Sequence, residues 1–103
     1  MSYGTVMVAR VKPGAEAELR EGGRRWTEER GPVVRGFEDE WVLFGDDGTV
    51  VMAVRFASKE AYAALADDPA QDAFYQEHLA PFVEDIRWID GTWEPLLSAP
   101  KGG

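Results

Sequence analysis

Two stretches with strand patterning, residues 33–44 and 49–57, flank the turn Gly45-Asp46-Asp47-Gly48. Aspartate and glycine between apolar runs are a strong hairpin signal, because glycine supplies the positive φ that a tight reversal needs. Each outer arm of the chain adds one strand and one helix, giving the order β-α-β-β-α-β. Two helices can cover only one face of a four-stranded antiparallel sheet. The other face must meet water or a partner.

Residues 3–11 read as the first strand, with Val6, Val8 and Arg10 on one face and Thr5, Met7, Ala9 and Val11 on the other. A helix is predicted over 15–30, where Ala15, Leu19, Gly22/Gly23 and Trp26 recur at helical spacing. Two glycines in mid-helix cost about 1 kcal/mol each relative to alanine. Close packing, a kink or open space for a ligand would offset that. Gly31-Pro32 ends the helix, and Gly36 reads as a bulge or bend. With Asp47-Gly48 as a two-residue turn, Val42 pairs with Ala53 and Glu40 with Arg55. That register puts Phe37, Trp41, Leu43, Val50, Met52, Val54 and Phe56 under the helices. It leaves Glu38, Glu40, Val42, Phe44, Val51, Ala53 and Arg55 outside. Ser58 is a good N-cap for the next helix, and Asp67-Asp68-Pro69 interrupts and restarts it with Pro69 at the first helical position. The restarted segment sets Ala70, Phe74 and His78 on one face, and Pro81 stops it. A last strand is predicted over 86–93. Residues 1–95 then form one domain and 96–103 a C-terminal tail.

The net charge of -8 repels phosphate backbones, and the basic residues form no continuous stripe, so nucleic-acid and membrane-surface binding are disfavoured. No apolar run approaches the roughly 20 residues needed to span a bilayer. The N-terminus carries no secretory pattern, so the cytoplasm is the expected location. The absence of cysteine removes disulfides, thiolate catalysis and zinc-thiolate sites. One histidine and scattered carboxylates offer no persuasive metal-ligand spacing.

The chain resembles the dimeric α/β-barrel superfamily, and within it the antibiotic biosynthesis monooxygenase type of domain. The likeness runs from Tyr3 to about Trp93. It rests on the opening segment Val6 to Gly14, on Arg35-Gly36-Phe37, on the junction Val54 to Ala61 and on Asp68-Pro69 to Phe74. It implies ferredoxin-like protomers that form a homodimer through the sheet face, so that Glu40 and Arg55 lie in or near the interface. It also implies a pocket between sheet and helices in each protomer, and no cofactor. Such domains include oxidases of polycyclic phenols, haem degraders, isomerases and cyclases. The asparagine and tryptophan that resemblance would place on the first strand and the later helix fall here on Ala9 and Leu65, and the chain has no asparagine. Haem degradation is therefore disfavoured.

His78 is the only histidine, and an imidazole ordinarily titrates near neutrality, which suits it to taking a proton from a phenol or enol. Its alternative role is a half-buried residue near a helix end. Trp26, Trp41, Met52, Tyr62 and Phe74 converge between helices and sheet in the predicted arrangement. They could stack on a flat apolar ligand or simply fill the core. Trp88 and Trp93 are expected to serve the dimer interface and the tail. Two functions follow: a cofactor-independent monooxygenase, or related isomerase or cyclase, acting on an aromatic or polyketide-like molecule; or a non-catalytic dimeric module that binds a small hydrophobic ligand.

Overall fold

The computed structural model describes residues 1–96. Four strands form one antiparallel sheet: β1 (Tyr3–Val11), β2 (Phe37–Phe44), β3 (Thr49–Phe56) and β4 (Val83–Thr92), in the order β2-β3-β1-β4. Helix α1 (Glu16–Glu29) follows β1, while α2 (Lys59–Ala66) and α3 (Pro69–His78) follow β3. This is the ferredoxin-like α+β arrangement, with its second helix broken in two. Ser58 caps α2 by accepting from the Ala61 N–H at 3.1 Å, and Asp68 caps α3 by accepting from the Ala70 N–H at 2.9 Å. Pro69 at the first position of α3 needs no N–H partner there. Short 3-10 turns at Gly31–Val33 and Ala80–Phe82 carry the chain back into β2 and β4. The second strand therefore begins at Phe37 rather than Val33, and β4 begins at Val83 rather than Ile86. The tail expected from residue 96 lies, beyond Leu96, outside the described residues.

The hairpin departs from the predicted register by one residue. Phe44 pairs with Val50, Val42 with Met52 and Glu40 with Val54. Gly45 and Thr49 close a three-residue loop, in which the Gly45 N–H donates to the Thr49 carbonyl at 2.7 Å. Gly48 takes the positive φ of +88°, and the Thr49 N–H donates to Asp47 Oδ1 at 2.9 Å. The loop thus takes the form of a tight turn followed by one left-handed residue. Because side chains alternate, the odd residue exchanges the two faces of β2. Glu40, Val42 and Phe44 turn toward the helices. Asp39, Trp41 and Leu43 turn away beside Arg55, Ala53 and Val51. An irregularity between Phe37 and Asp39 restores Phe37 to the helix side, where its ring meets Trp26 at 4.8 Å.

Faces of β1 follow the predicted alternation, with Thr5, Met7 and Ala9 buried beneath the helices. Met7, Ala9, Leu19, Val50 and Val83 make a small core at the hairpin end of the sheet. A second cluster at the far end joins Phe56 to Phe37 and Tyr62 through ring contacts of 5.9 and 5.6 Å. Neither α2 nor α3 contributes a fully buried residue. The helices lean on the two clusters and stand off the sheet between them. Among the described residues no helix is long and apolar enough to cross a membrane.

Candidate functional site

The space beneath the helices is a cavity of about 680 Å³, within the range of small-molecule sites. Strands supply its floor through Thr5, Met52, Val54 and Trp88, and α1 supplies Gly22, Gly23 and Trp26. Helices α2 and α3 add Tyr62, Leu65, Phe74, Tyr75 and His78. The paired glycines have separate roles. A Cβ on Gly22 would sit 2.7 Å from the His78 carbonyl oxygen, so this glycine permits α1 to approach the end of α3. A Cβ on Gly23 would meet nothing within 4 Å. Close packing explains the first, and open space surrounds the second.

Helix spacing brings the predicted residues of the helical arms to this cavity. The Trp26 indole N–H donates to Gln71 Oε1 at 3.1 Å, tying α1 to α3. The Phe74 ring lies 4.4 Å from the His78 ring, one turn apart on α3. The His78 side chain is 19% exposed, and its Nε2 is 3.8 Å from Glu77 Oε2. The Tyr62 hydroxyl donates to Asp90 Oδ1 at 2.9 Å. Burial, reinforced by that bond, pushes the Tyr62 phenol up to about 12, so it stays protonated. Met52 lies on the floor.

Trp41 does not join them. It is 72% exposed on the outer face of β2, because the odd hairpin loop turned it there. The same reversal corrects the placement of Glu40, which lies in the cavity wall rather than opposite Arg55. Arg55 instead forms a two-pronged pair with Asp39, at 2.9 and 2.7 Å, and this holds the Asp39 carboxyl below its ordinary range. Burial pushes the Glu40 carboxyl up to about 7, and no partner among the described residues offsets it. Trp88 is also corrected. Its pairing with Met7 sets it on the helix side, with its ring 6.0 Å from Tyr75. Trp93 lies beyond β4 and donates its indole N–H to the Val54 carbonyl at 2.9 Å, closing over Gly4.

Sequence reasoning missed Glu40, Gln71, Tyr75 and Trp88. Counting Asp46-Asp47-Gly48 as a three-residue loop would have found Glu40. A register shift opposite Ala9, where Asp85 takes a φ of +54°, sets the phase of Trp88 and carries no sequence signal as clear as a glycine. No group of three or more His, Asp or Glu among the described residues could hold a metal ion.

No protein-family model matches the chain, and no curated protein matches it in sequence. Solved structures do match in shape. SnoaB, a cofactor-independent oxygenase from Streptomyces nogalater, superposes with a TM-score of 0.78 at 17% identity, covering 95% of this chain and 98% of that one. A monooxygenase from the gene ActVA-Orf6 of Streptomyces coelicolor, in complex with nanaomycin D, gives 0.76 at 19% identity over 96% and 92%. A conserved protein from Methanosarcina mazei gives 0.76 at 12% identity over 91% and 94%. The chain therefore shares the ferredoxin-like α+β fold of these solved structures.

Proposed function

We propose that this chain is a cofactor-independent monooxygenase, or a related isomerase or cyclase, acting on a flat aromatic or polyketide-like molecule. The observation that carries the reading is one cavity of about 680 Å³ that holds Trp26, Tyr62, Phe74 and the His78 imidazole in a common wall. Aromatic faces supply stacking area for a ring system, and apolar walls favour a neutral ligand. His78 takes a proton from an activated CH₂ beside a phenol or ketone. The resulting carbanion gives its electrons to O₂ and forms a C–O bond. Proton return and loss of water from the hydroperoxide leave a new carbonyl. The balance is CH₂ plus O₂ to C=O plus H₂O, so the substrate itself supplies every electron.

The outer face of the sheet supports a homodimer in this reading. Trp41 and Leu43, 72% and 64% exposed, lie beside Val51, Ala53 and Val6. Exposed aromatic and branched side chains on one sheet face favour a second copy over water. A non-catalytic ligand-binding module is the second reading, favoured by the buried Ala9 at the position where related phenol oxidases resemble one another in an asparagine. Oxygen uptake with a panel of anthrones and quinols decides between them. The enzyme reading expects turnover that falls at least about 100-fold in His78→Ala, as loss of a general base requires. Tight binding without uptake by the parent would remove it.

A further inference from the structure

Glu40 is a carboxyl built into an otherwise largely apolar floor, and it lines two spaces at once. On one side it faces the main cavity. On the other it reaches a cleft of about 290 Å³ bounded by Trp26, Thr27, Pro32, Phe37 and Asp39. It is half-buried, and no hydrogen bond or ion pair to a described residue holds it. An unpaired carboxylate in such a place is costly, whereas a protonated carboxyl keeps one O–H to donate.

We propose that Glu40 selects the ligand of this cavity: its neutral carboxyl donates a hydrogen bond to a carbonyl oxygen on the bound ring system. The site therefore takes flat ketones and quinones ahead of bare aromatic hydrocarbons. This rests on reading the cavity as an aromatic-ligand site. Other charged or titratable groups in these walls are Arg20 and Arg24 on α1, Tyr62 on α2, and Asp72, Tyr75 and His78 on α3. Asp39 borders the cleft, where Arg55 already holds it. None of them pairs with Glu40. Burial sets its titration near neutrality, so the donor is lost as pH rises through about 7.

9-Fluorenone and fluorene make a suitable probe pair, since they share a tricyclic frame and differ in one carbonyl oxygen. Tryptophan fluorescence quenching by each, at pH 5.5 and 8.5, reads the affinities. The parent is expected to prefer fluorenone by about tenfold at pH 5.5, the scale of one buried hydrogen bond. That preference disappears at pH 8.5, while fluorene binding stays level. Glu40→Leu removes the preference at both pH values and keeps fluorene binding. A fluorenone preference absent at pH 5.5, or unchanged at pH 8.5, overturns the proposal using the parent alone. Loss of the pH dependence in His78→Ala, with fluorene still bound, assigns the titrating group to His78 and overturns it too. If neither probe binds at pH 5.5 or 8.5, the aromatic-site reading falls and takes this inference with it.

Discussion

Replacing Gly22 by alanine should destabilise the protein, although the same change one residue later should stabilise it. In an exposed helix interior, glycine to alanine gains about 1 kcal/mol. Nothing lies within 4 Å of the Cβ that Gly23→Ala would add, so that variant receives the whole gain. The Cβ of Gly22→Ala would meet the His78 carbonyl oxygen at 2.7 Å, and this is backbone rather than a flexible side-chain tip. Relieving it means moving α1 away from α3, an overpacking cost of about 1–3 kcal/mol. The net for Gly22→Ala is a loss of about 0–2 kcal/mol, and the two variants differ by about 1–3 kcal/mol. At roughly 5 °C per kcal/mol for a domain of this size, their melting temperatures separate by roughly 5–15 °C. Thermal and urea unfolding followed by circular dichroism measure this directly. Equal stabilisation by both substitutions would refute the close approach of α1 to α3. Because the contact is with His78 itself, Gly22→Ala should also disturb any chemistry that depends on that imidazole.

Asp68→Ala removes the α3 cap and the 2.9 Å partner of Arg30, whose buried Nε has no partner among the described residues, and should cost about 1–2 kcal/mol in urea unfolding. Glu40→Gln should stabilise the protein more at pH 8.5 than at pH 5. Folding raises the Glu40 pKa from 4.5 to about 7, so the native state binds the extra proton and the parent loses stability as pH rises through that window. The difference between the two pH values should reach roughly 3 kcal/mol at most, and urea midpoints in both buffers test it. Leu43→Lys puts a charge on the outer sheet face, and sedimentation should find a dimer for the parent and a monomer for the variant at micromolar concentration.

Local chemistry carried most of the helical arms. Ser58, Asp68 and Pro69 marked the two helix starts, since a cap or a fixed φ acts within one turn. Spacing of four residues put Phe74 and His78 on one side of α3, and the structure sets both in the cavity wall. Strand placement was harder, because it depends on counting across a turn. Asp-Gly suggests a two-residue reversal, yet Asp47 caps the Thr49 N–H and the loop takes three residues. Trp41 went outward and Glu40 inward on that account alone. Trp88 depended on a backbone irregularity at Asp85, where aspartate adopts a conformation more usual for glycine. Gly22-Gly23 was legible as a demand for space, but only the fold separates the residue that makes room for a neighbour from the one that faces open volume.

The Asp46-Asp47-Gly48 loop acts as a parity setting for the whole of β2. Removing one residue there would not merely trim a surface turn. It would trade the inner wallpaper of the cavity for its outer coat, sending Trp41 and Leu43 inside and expelling Glu40 and Val42. A one-codon deletion at this tip would thus exchange the side chains that the whole strand offers to its two faces in a single step.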